Sequence, residues 1–278
     1  MILLDGKKLA DLRLQSLAKE ISTIDGRKPK LVVIRVGNDP ASEVYVKKKI
    51  KNAAEVGVIS EERHLDEKIS LPELLKIVTA YNSDPSTDGI LVQLPLPKHI
   101  PTQVVIESVS PEKDVDGFHP MNLGRLAVGE KCLTACTPRG IMNLLDHYKI
   151  PLKGKRAVVV GRSRIVGRPI SLLLDQAGCT VTVVHRDTPD SSRFNSEADI
   201  LVVAAGVRGL VTEKDIKQGA VVIDVGIHRL DSGKLAGDVE FDRVKDKVSA
   251  ITPVPGGVGP LTVCTLLENT LQAFHAKK

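Results

Sequence analysis

The strongest constraint on the fold is an alternation of short apolar runs with helical patterns, which occurs twice along the chain. In the first series the apolar runs are "KLVVIRVG" at 30–37 and "DGILVQLPLP" at 88–97, with a shorter run near 58–64 between them. The intervening segments carry apolar residues three and four apart, which is typical of amphipathic helices. This β-α-β-α-β order predicts a parallel sheet with helices on both faces.

A second series of the same kind begins at residue 155. It contains "KRAVVVG" at 155–161, a helical pattern ended by Gly178, and the runs "TVTVVH", "ADILVVAAG" and "GAVVIDVG", which we expect to be buried strands. The segment 111–140 between the series is rich in Pro, Gly and Asp. The sequence therefore predicts an α/β protein of two α/β domains with a cleft between them: a first domain over 1–138, completed by a C-terminal helix over 261–278, and a second, Rossmann-like domain over 139–260.

Composition argues against several classes of partner. The net charge is only +5, from 39 basic and 34 acidic residues, and aromatic residues make up 3% of the chain with no Trp. Such a chain lacks the strongly basic surface and the stacking platforms of nucleic-acid-binding proteins, although a local basic site for an anionic ligand is compatible with it. No apolar stretch reaches membrane-spanning length. We therefore expect neither nucleic acid nor a membrane as a partner.

The cysteines point to a reducing compartment. Cys132, Cys136, Cys179 and Cys264 are too few for a disulfide framework, and no Cys or His pair follows at zinc-ligand spacing. The N-terminal segment "MILLDGKKLADLR" acquires charge too early for a signal peptide. The sequence thus predicts a cytoplasmic protein with no metal site.

The turn after the strand "AVVVG" has the pattern of a dinucleotide-binding loop. In the common fingerprint, glycines at the first, third and sixth positions allow a tight turn and close approach of a pyrophosphate. Here residues 161–167 are GRSRIVG, so a serine takes the second place and the last glycine comes one residue late. A glycine turn without a ligand is the alternative, but the following helix offers N-terminal amides that suit phosphate. The expected cofactor-binding residues are Gly161, Arg162, Ser163, Ile165, Gly167 and Arg186.

The choice of nucleotide depends on the end of the next strand. Enzymes that use NAD usually place an acidic residue there, which accepts a hydrogen bond from the ribose 2′-hydroxyl. This chain has His185 and Arg186 instead, with Asp187 one step later. Arg186, helped by Arg162 or Arg164, favours the 2′-phosphate of NADP, whereas Asp187 is the argument for NAD. We therefore expect NADP as the cofactor.

A run of lysines lies in "DPASEVYVKKKIKNAAEVG" at 39–57, where Asp39 and Pro40 indicate the start of a helix. At about 100° per residue, Lys47, Lys48 and Lys51 project away from a buried stripe that we expect to consist of Val46, Ile50, Ala53 and Gly57.

Within this run, Lys49 borders the stripe. Tyr45 lies one turn before it on the same side. A lysine in such a place is partly withdrawn from water and suits proton transfer, or else its stem packs while its ammonium reaches solvent.

Other polar groups are candidates for the same site. Gln93 lies at the carboxyl end of the strand "GILVQLPLP", the edge where parallel sheets bind ligands. Asp114 and Asp116 alternate around Val115 in "KDVDGFHP", so that one of them can point inward. The segment "TPVPGGVGPLT" at 252–262 predicts a stiff loop whose exposed amides allow close approach to a flat ligand, with a plain turn as the alternative.

These motifs together resemble the bifunctional methylenetetrahydrofolate dehydrogenase/methenyltetrahydrofolate cyclohydrolase family. The resemblance runs from about residue 36 to 270, and each of its motifs is modest alone whereas the set is highly specific. The matching motifs are "VGNDPASEVYVKKKIKNAAEVG", "DGILVQLPLP", "SPEKDVDGFHPMNLGRL", "CTPRGIM", "VVVGRSRIVGRP", "ADILVVAAG", "VIDVGI" and "ITPVPGGVGPLT".

The resemblance implies a function in one-carbon folate metabolism, in the cytoplasm and as a homodimer. The implied reaction is oxidation of 5,10-methylenetetrahydrofolate by NADP⁺, followed by hydrolysis of the methenyl product to 10-formyltetrahydrofolate, a donor for purine biosynthesis. Hydride transfer requires only that the two reactants be held in register, but hydrolysis requires an activated water and a proton carrier.

The resemblance also assigns residues. Lys49 matches the catalytic lysine and Gln93 the glutamine that hydrogen-bonds and tunes it, while Tyr45 matches the tyrosine that stacks on the folate and Asp116 the aspartate that holds the pterin ring. The turn residues Gly161, Arg162 and Ser163 match the cofactor turn. Ile227 matches a residue near the cofactor, and the substrate loop is formed by Pro255, Gly256 and Gly257.

Three positions depart from the family pattern, and other functions stay open. Arg208 stands where the family usually has proline, His228 where it has asparagine, and Ala135 where proline is common. These departures bear on cofactor preference and on the ratio of the two activities. The alternatives are another two-domain NADP-dependent dehydrogenase with Lys49 as general base, a relative with only one of the two activities, and a nucleotide-sensing protein that has lost the chemistry.

Overall fold

The computed structural model describes residues 1–277, except for the side chain of Ala41. Its strands are β1 (Ile2–Leu3), β2 (Lys30–Val36), β3 (Ile59–Leu65), β4 (Gly89–Val92), β5 (Arg156–Val160), β6 (Thr180–Val184), β7 (Ile200–Val203), β8 (Val221–Asp224), β9 (His228–Arg229), β10 (Leu235–Ala236) and β11 (Ala250–Ile251). Its α-helices are α1 (Gly6–Ser22), α2 (Pro40–Val56), α3 (Leu71–Ser83), α4 (Thr102–Ser108), α5 (Pro120–Ala127), α6 (Cys136–His147), α7 (Gly167–Gln176), α8 (Ser191–Asn195), α9 (Phe241–Val244) and α10 (Val258–His275).

The chain divides into two compact units. The three-stranded unit comprises Leu12–Cys136 and the chain from Val263 onward, and the six-stranded unit comprises Met1–Asp11 and Thr137–Thr262. The sequence-based boundary at 138 lies two residues from the observed one. The N-terminal segment differs from that expectation, because β1 pairs with β11 in the six-stranded sheet.

The three-stranded unit is built on a parallel sheet of order β3-β2-β4. Because successive side chains of a strand point to opposite faces, β2 supplies two cores. Leu31 and Val33 pack in one with residues of α1, α2 and α10, and Val32 and Ile34 pack in the other with residues of α3 and α4. The expected parallel sheet with helices on both faces is confirmed here.

Helix α2 begins and ends as local chemistry dictates. The Asp39 carboxylate accepts a hydrogen bond from the Ser42 amide at 2.7 Å, and Pro40 occupies the first turn. The expected stripe is correct for Val46 and Ala53, which are fully buried. It is wrong for Gly57, which is exposed and adopts φ 82° as the residue that ends the helix.

The six-stranded unit has a parallel sheet of order β1-β11-β8-β7-β5-β6. The predicted strands β5, β7 and β8 are buried as expected. Strand β6 is only partly buried, because it forms the edge of the sheet. The short strands β1 and β11 and the β9–β10 hairpin were not predicted, since two-residue strands leave no alternation in the sequence.

Helix α10 is buried nearly all round between Leu261 and Phe274, rather than on one face. Its residues Leu266, Leu267 and Leu271 pack in the same core as Leu17 and Ile21 of α1. Helix α10 therefore contributes apolar side chains to the core of the three-stranded unit. No helix in residues 1–277 combines the length and apolar character that a membrane crossing needs.

Candidate active site and nucleotide cavity

The ammonium of Lys49 is the central polar group of the three-stranded unit. Lys49 is only 9% exposed, and its Nζ donates a hydrogen bond to Oε1 of Gln93 at 3.0 Å. Across the described chain, Gln93 is the sole hydrogen-bond partner of this ammonium. Since an ammonium has three donors, two N–H groups are left for a substrate or a water molecule.

The orientation of the Gln93 amide is fixed by its own neighbours. Gln93 directly follows β4, and its backbone N–H continues the ladder to the Ile34 carbonyl at 2.8 Å. Its side-chain Nε2 donates to the Leu94 carbonyl at 2.7 Å. Because that carbonyl takes the NH₂ group, the amide oxygen is the end that faces Lys49.

The other lysines of the run behave as the helical period predicts. Lys47 pairs with Glu43 and Lys51 with Glu55 on the exposed side of α2, and Lys48 is also exposed. Tyr45, one turn before Lys49, is 49% exposed. A tyrosine ring that remains half in water offers a flat apolar surface for a ligand.

The two aspartates of "KDVDGFHP" have different environments. Asp114 is buried and accepts hydrogen bonds from the His119 amide at 2.8 Å and the Asn122 side chain at 3.1 Å. Asp116 is partly exposed and interacts electrostatically with Lys49. Asp114 therefore holds the loop together, whereas Asp116 is the carboxyl available to a ligand.

The protonation of Asp116 is unusual for a carboxyl group. Withdrawal from water raises the pKa of Asp116 to about 6, although the positive charge of Lys49 acts in the opposite direction. The Cys136 thiol also interacts with this carboxylate, and the Cys136 amide donates to the Asp116 carbonyl at 3.3 Å. No pattern in the sequence indicates the contact of Cys136 with Asp116.

Lys49, Gln93 and Asp116 thus form one group, which we call the lysine site. It contains a buried cation held by a neutral amide and a carboxyl that changes charge near pH 6. A carboxyl group with a raised pKa is typical of sites that move protons. The lysine site can therefore activate water or accept a proton from a bound substrate.

The six-stranded unit contains a cavity of about 700 Å³ at the carboxyl ends of β5, β6 and β7. Sheet order places β6 on one side of β5 and β7 on the other, so the chain turns in opposite directions from this point. Open parallel sheets bind their ligands at such a switch point. The cavity is lined by Val160, Gly161, Arg162, Ser163, Val184, His185, Arg186, Thr188, Ser191, Ala204, Ala205, Val207 and Leu210.

The turn at 161–167 fits a dinucleotide. Gly161 has φ 116°, and a Cβ there would lie 2.3 Å from the Ala204 carbonyl oxygen. A Cβ on Gly167 would lie 2.2 Å from the Gly161 carbonyl oxygen, so both positions require glycine. In place of the usual middle glycine, Ser163 Oγ accepts from the amides of Val166 at 3.2 Å and Gly167 at 3.3 Å, which completes the start of α7.

Basic side chains surround the end of β6. Arg162 forms an ion pair with Asp187 at 3.0 Å, and Arg186 has a side chain that is 93% exposed, with its Nε 3.7 Å from the same carboxylate. This arrangement leaves one positive charge in excess beside the cavity and suits a phosphate group.

The remaining predicted site residues lie elsewhere in the six-stranded unit. Ile165 and Ile227 are exposed and do not line the cavity. In the predicted substrate loop, the carbonyl of Gly256 accepts a hydrogen bond from the Lys7 amide at 2.8 Å, and Gly257 donates to Pro253 at 2.9 Å. Gly256 has φ 102°, which only glycine adopts readily.

Two negative findings apply to the described residues 1–277. Cys132, Cys136, Cys179 and Cys264 are all free thiols. No group of three or more His, Cys, Asp or Glu side chains in this range could hold a metal ion.

The fold and the two sites define a class of protein. It is a two-unit α/β protein with a Rossmann-like dinucleotide-binding unit and a second unit that carries a buried lysine. Residues 4–116 match the tetrahydrofolate dehydrogenase/cyclohydrolase catalytic domain, and residues 135–278 match the NAD(P)-binding domain of the same family. The chain belongs to the tetrahydrofolate dehydrogenase/cyclohydrolase family, so the family resemblance is confirmed.

Individual relatives agree with this assignment. The chain is 51% identical to the bifunctional protein FolD of Staphylococcus haemolyticus (strain JCSC1435), over 99% of this chain and 98% of that protein. It is 47% identical to the crystal structure of the bifunctional enzyme FolD from Campylobacter jejuni, with a TM-score of 0.99 and full coverage of both chains. The Trypanosoma brucei enzyme, solved with NADP cofactor and an inhibitor, is 38% identical with a TM-score of 0.94, over 100% of this chain and 98% of that one.

The three departures from the family pattern have different settings. Arg208 is exposed, and Ala135 is buried with its amide next to Gly117. Nothing in the surroundings of these two positions explains the change. His228 differs, because its Nε2 lies 2.7 Å from Oδ1 of the buried Asp238.

The raised pKa of Asp116 predicts a stability effect. Its folded pKa of about 6 lies above the ordinary value of 3.8, so the folded state binds this proton more tightly than the unfolded state does. The contribution of Asp116 to stability therefore falls as pH rises from about 4 to about 6. We expect Asp116→Asn, which cannot ionise, to raise the Tm at pH 7.5 and to change it less at pH 4.5, as measured by thermal melts.

The matched control is Glu112→Gln, which removes one negative charge from an exposed position of the same segment. The control should shift the Tm little at either pH. A difference between Asp116→Asn and wild type that is the same at both pH values would contradict the raised pKa.

Proposed function

We propose that the protein oxidises 5,10-methylenetetrahydrofolate with NADP⁺ and then hydrolyses the 5,10-methenyl product to 10-formyltetrahydrofolate. The observation that carries the proposal is the nearly buried ammonium of Lys49, held by the oriented amide of Gln93. Family membership supplies the substrate class, since both domain models name tetrahydrofolate. We further propose that the three-stranded unit binds folate and that the six-stranded unit binds NADP.

The oxidation step does not require an acid or a base from the protein. NADP⁺, when bound, accepts a hydride from the methylene carbon that bridges N5 and N10 of the folate. The task of the protein is to hold the two reactants in register. In this proposal the turn at Gly161, Ser163 and Gly167 holds the pyrophosphate, and Ile227 lies near the cofactor.

The hydrolysis step requires proton movement. The oxygen of a water molecule bonds to the methenyl carbon, the bond from that carbon to N5 breaks, one water proton ends on N5 and the other is released. Lys49 is placed to carry a proton in this step, and Gln93 keeps the ammonium in position. Lys49 is therefore the proposed catalytic residue of hydrolysis.

Three further groups orient the folate in this proposal. The Asp116 carboxyl hydrogen-bonds the pterin ring, and the half-exposed ring of Tyr45 stacks on it. The stiff loop of Pro255, Gly256 and Gly257 approaches the substrate through its backbone.

The expected homodimer and the cytoplasmic location stay predictions. A homodimer would have twice the 30.0 kDa mass of the chain by sedimentation.

The direct test is incubation of the purified protein with 5,10-methylenetetrahydrofolate and NADP⁺. We expect NADPH to form together with the methenyl product, which then disappears as 10-formyltetrahydrofolate appears. Both phases are followed by absorbance. Absence of NADPH and of the methenyl product from a folded protein would rule out the proposal, whereas accumulation of the methenyl product would leave only the dehydrogenase half.

Lys49→Met separates the two halves of the reaction. Removal of the proton carrier should lower the rate of methenyltetrahydrofolate hydrolysis by at least about 100-fold, the usual scale for general acid–base catalysis. The affinity for NADP⁺ should stay unchanged. Both are measured on the same preparation, by absorbance decay and by equilibrium titration.

Lys48→Met is the matched control, since it is the adjacent residue on the exposed side of α2. It should leave both quantities as in wild type. Equal losses of hydrolysis and of NADP⁺ binding in a folded Lys49→Met protein would argue against the assignment.

NADP is proposed over NAD because positive charge exceeds negative charge at the end of β6. We expect Arg186→Ala to weaken NADP⁺ binding by about five- to tenfold and to leave NAD⁺ binding unchanged, since only NADP carries the 2′-phosphate. Asp187→Asn releases Arg162 from its ion pair and should strengthen NADP⁺ binding. Dissociation constants from calorimetric titration check both.

Arg243→Ala serves as the control, because Arg243 is an exposed arginine of the same unit outside this cavity. If Arg186→Ala weakened NAD⁺ and NADP⁺ equally, the arginine would not be reading the 2′-phosphate.

A further inference from the structure

Two buried carboxylates meet behind the loops at the carboxyl edge of the six-stranded sheet. Asp224 ends β8 and is 3% exposed, and Asp238 follows β10 and is fully buried. Neither is among the residues to which the family resemblance gives a role. Because a buried carboxylate is costly unless donors surround it, the partners of these two groups show what they stabilise.

The carboxylate of Asp238 joins two loops. Its Oδ2 accepts hydrogen bonds from the backbone amides of Ala205 and Gly206, both at 2.8 Å. Its Oδ1 lies 2.7 Å from Nε2 of His228, which must carry the proton in order to donate to a carboxylate. Asp238 therefore links the loop after β7 to the first residue of β9.

Asp224 holds Asp238 in place. The Asp224 carboxylate accepts from the amides of Asp238 and Val239, both at 3.0 Å, and from the Gly226 amide at 2.9 Å. Two glycines pack closely against the pair. A Cβ on Gly226 would lie 2.3 Å from Asp238 Oδ1. A Cβ on Gly237 would lie 1.8 Å from Asp224 Oδ2. Hydrogen bonds and the close approach of Gly226 thus hold the side chain of Asp238 in place.

The loop that Asp238 holds is a wall of the nucleotide cavity. Ala204, Ala205 and Val207 line the cavity directly after β7. The backbone there is also constrained by Gly161, whose φ of 116° brings it against the Ala204 carbonyl. A change in the Asp238 hydrogen bonds would therefore move the side of the cavity that faces Gly161.

We propose that His228 and Asp238 are positioning residues for the dinucleotide: His228 orients the Asp238 carboxylate, and Asp238 fixes the Ala205–Gly206 amides that shape the cavity wall. This inference rests on the proposed function, because it requires that the cavity bind the nucleotide. Neither residue touches the reacting atoms in this proposal. Their effect is on cofactor affinity and not on the chemistry of the lysine site.

The test uses the two activities of the full-length protein as internal references. Asp238→Asn replaces one acceptor oxygen by an NH₂ group that faces donors, and His228→Phe removes the donor to Oδ1. We expect the dissociation constant for NADP⁺ to rise about tenfold for Asp238→Asn and several-fold for His228→Phe. The hydrolysis of methenyltetrahydrofolate, which uses no dinucleotide, should keep its kcat and KM.

One rescue variant and two control variants test whether the effect is specific to His228 and Asp238. His228→Asn restores a donor at this position and should recover most of the affinity lost in His228→Phe. Asp242→Asn and His275→Phe are the matched controls, since both side chains are exposed and contact neither the cavity nor Asp238. They should bind NADP⁺ as wild type does. If Asp238→Asn fails to fold, the partly exposed His228 carries the test through its own two variants.

Three outcomes would overturn the inference. If the wild type binds NADP⁺ and the folded Asp238 and His228 variants bind it equally well, the positioning role is refuted and the proposed function is not. Equal losses of NADP⁺ affinity and of hydrolysis would show a general structural role instead. A wild-type protein that binds neither NADP⁺ nor NAD⁺ would refute the proposed function as well, and so the two failures are distinguishable.

Discussion

Parallel strands place their carboxyl ends at one edge of a sheet, and each connection to the next strand must return through another element. Loops and helix starts therefore collect at that edge, and a few residues there can face a common ligand. Gln93 directly follows β4, and the glycine turn at Gly161 directly follows β5. The lysine site and the nucleotide cavity both depend on the parallel arrangement of the strands, because each lies at the carboxyl ends of strands in its own sheet.

The two units stabilise buried charge in different ways. Among the residues that the structure describes, Lys49 has one neutral hydrogen-bond partner and two donors without one, so its charge is incompletely satisfied there. Asp238 has two amides and an imidazole, so its charge is fully engaged. An incompletely satisfied charge favours a ligand that completes it, whereas a satisfied one rigidifies its surroundings. This difference is the physical reason for proposing Lys49 as a catalytic residue and Asp238 as a positioning residue.

Sequence reasoning succeeded where a pattern is local. The helical period distinguished Lys49 from Lys48, and the glycine spacing after β5 indicated a turn that borders a cavity. It failed where a contact joins distant parts of the chain: Cys136 reaches Asp116, and Asp238 reaches Ala205, without any spacing that indicates it. The edge position of β6 was also missed, since an apolar run does not reveal whether a strand has one neighbour or two.

The position of β1 has a consequence for how the protein is made. Ile2 and Leu3 are synthesised before their partners Ala250 and Ile251, which come far later in the sequence. During synthesis the three-stranded unit also waits for its C-terminal helix, whose residues Leu266 and Leu271 fill its core. The packing around the two sheets is therefore complete only after the chain through Leu271 has been made, and the nascent chain keeps apolar strand residues uncovered until then.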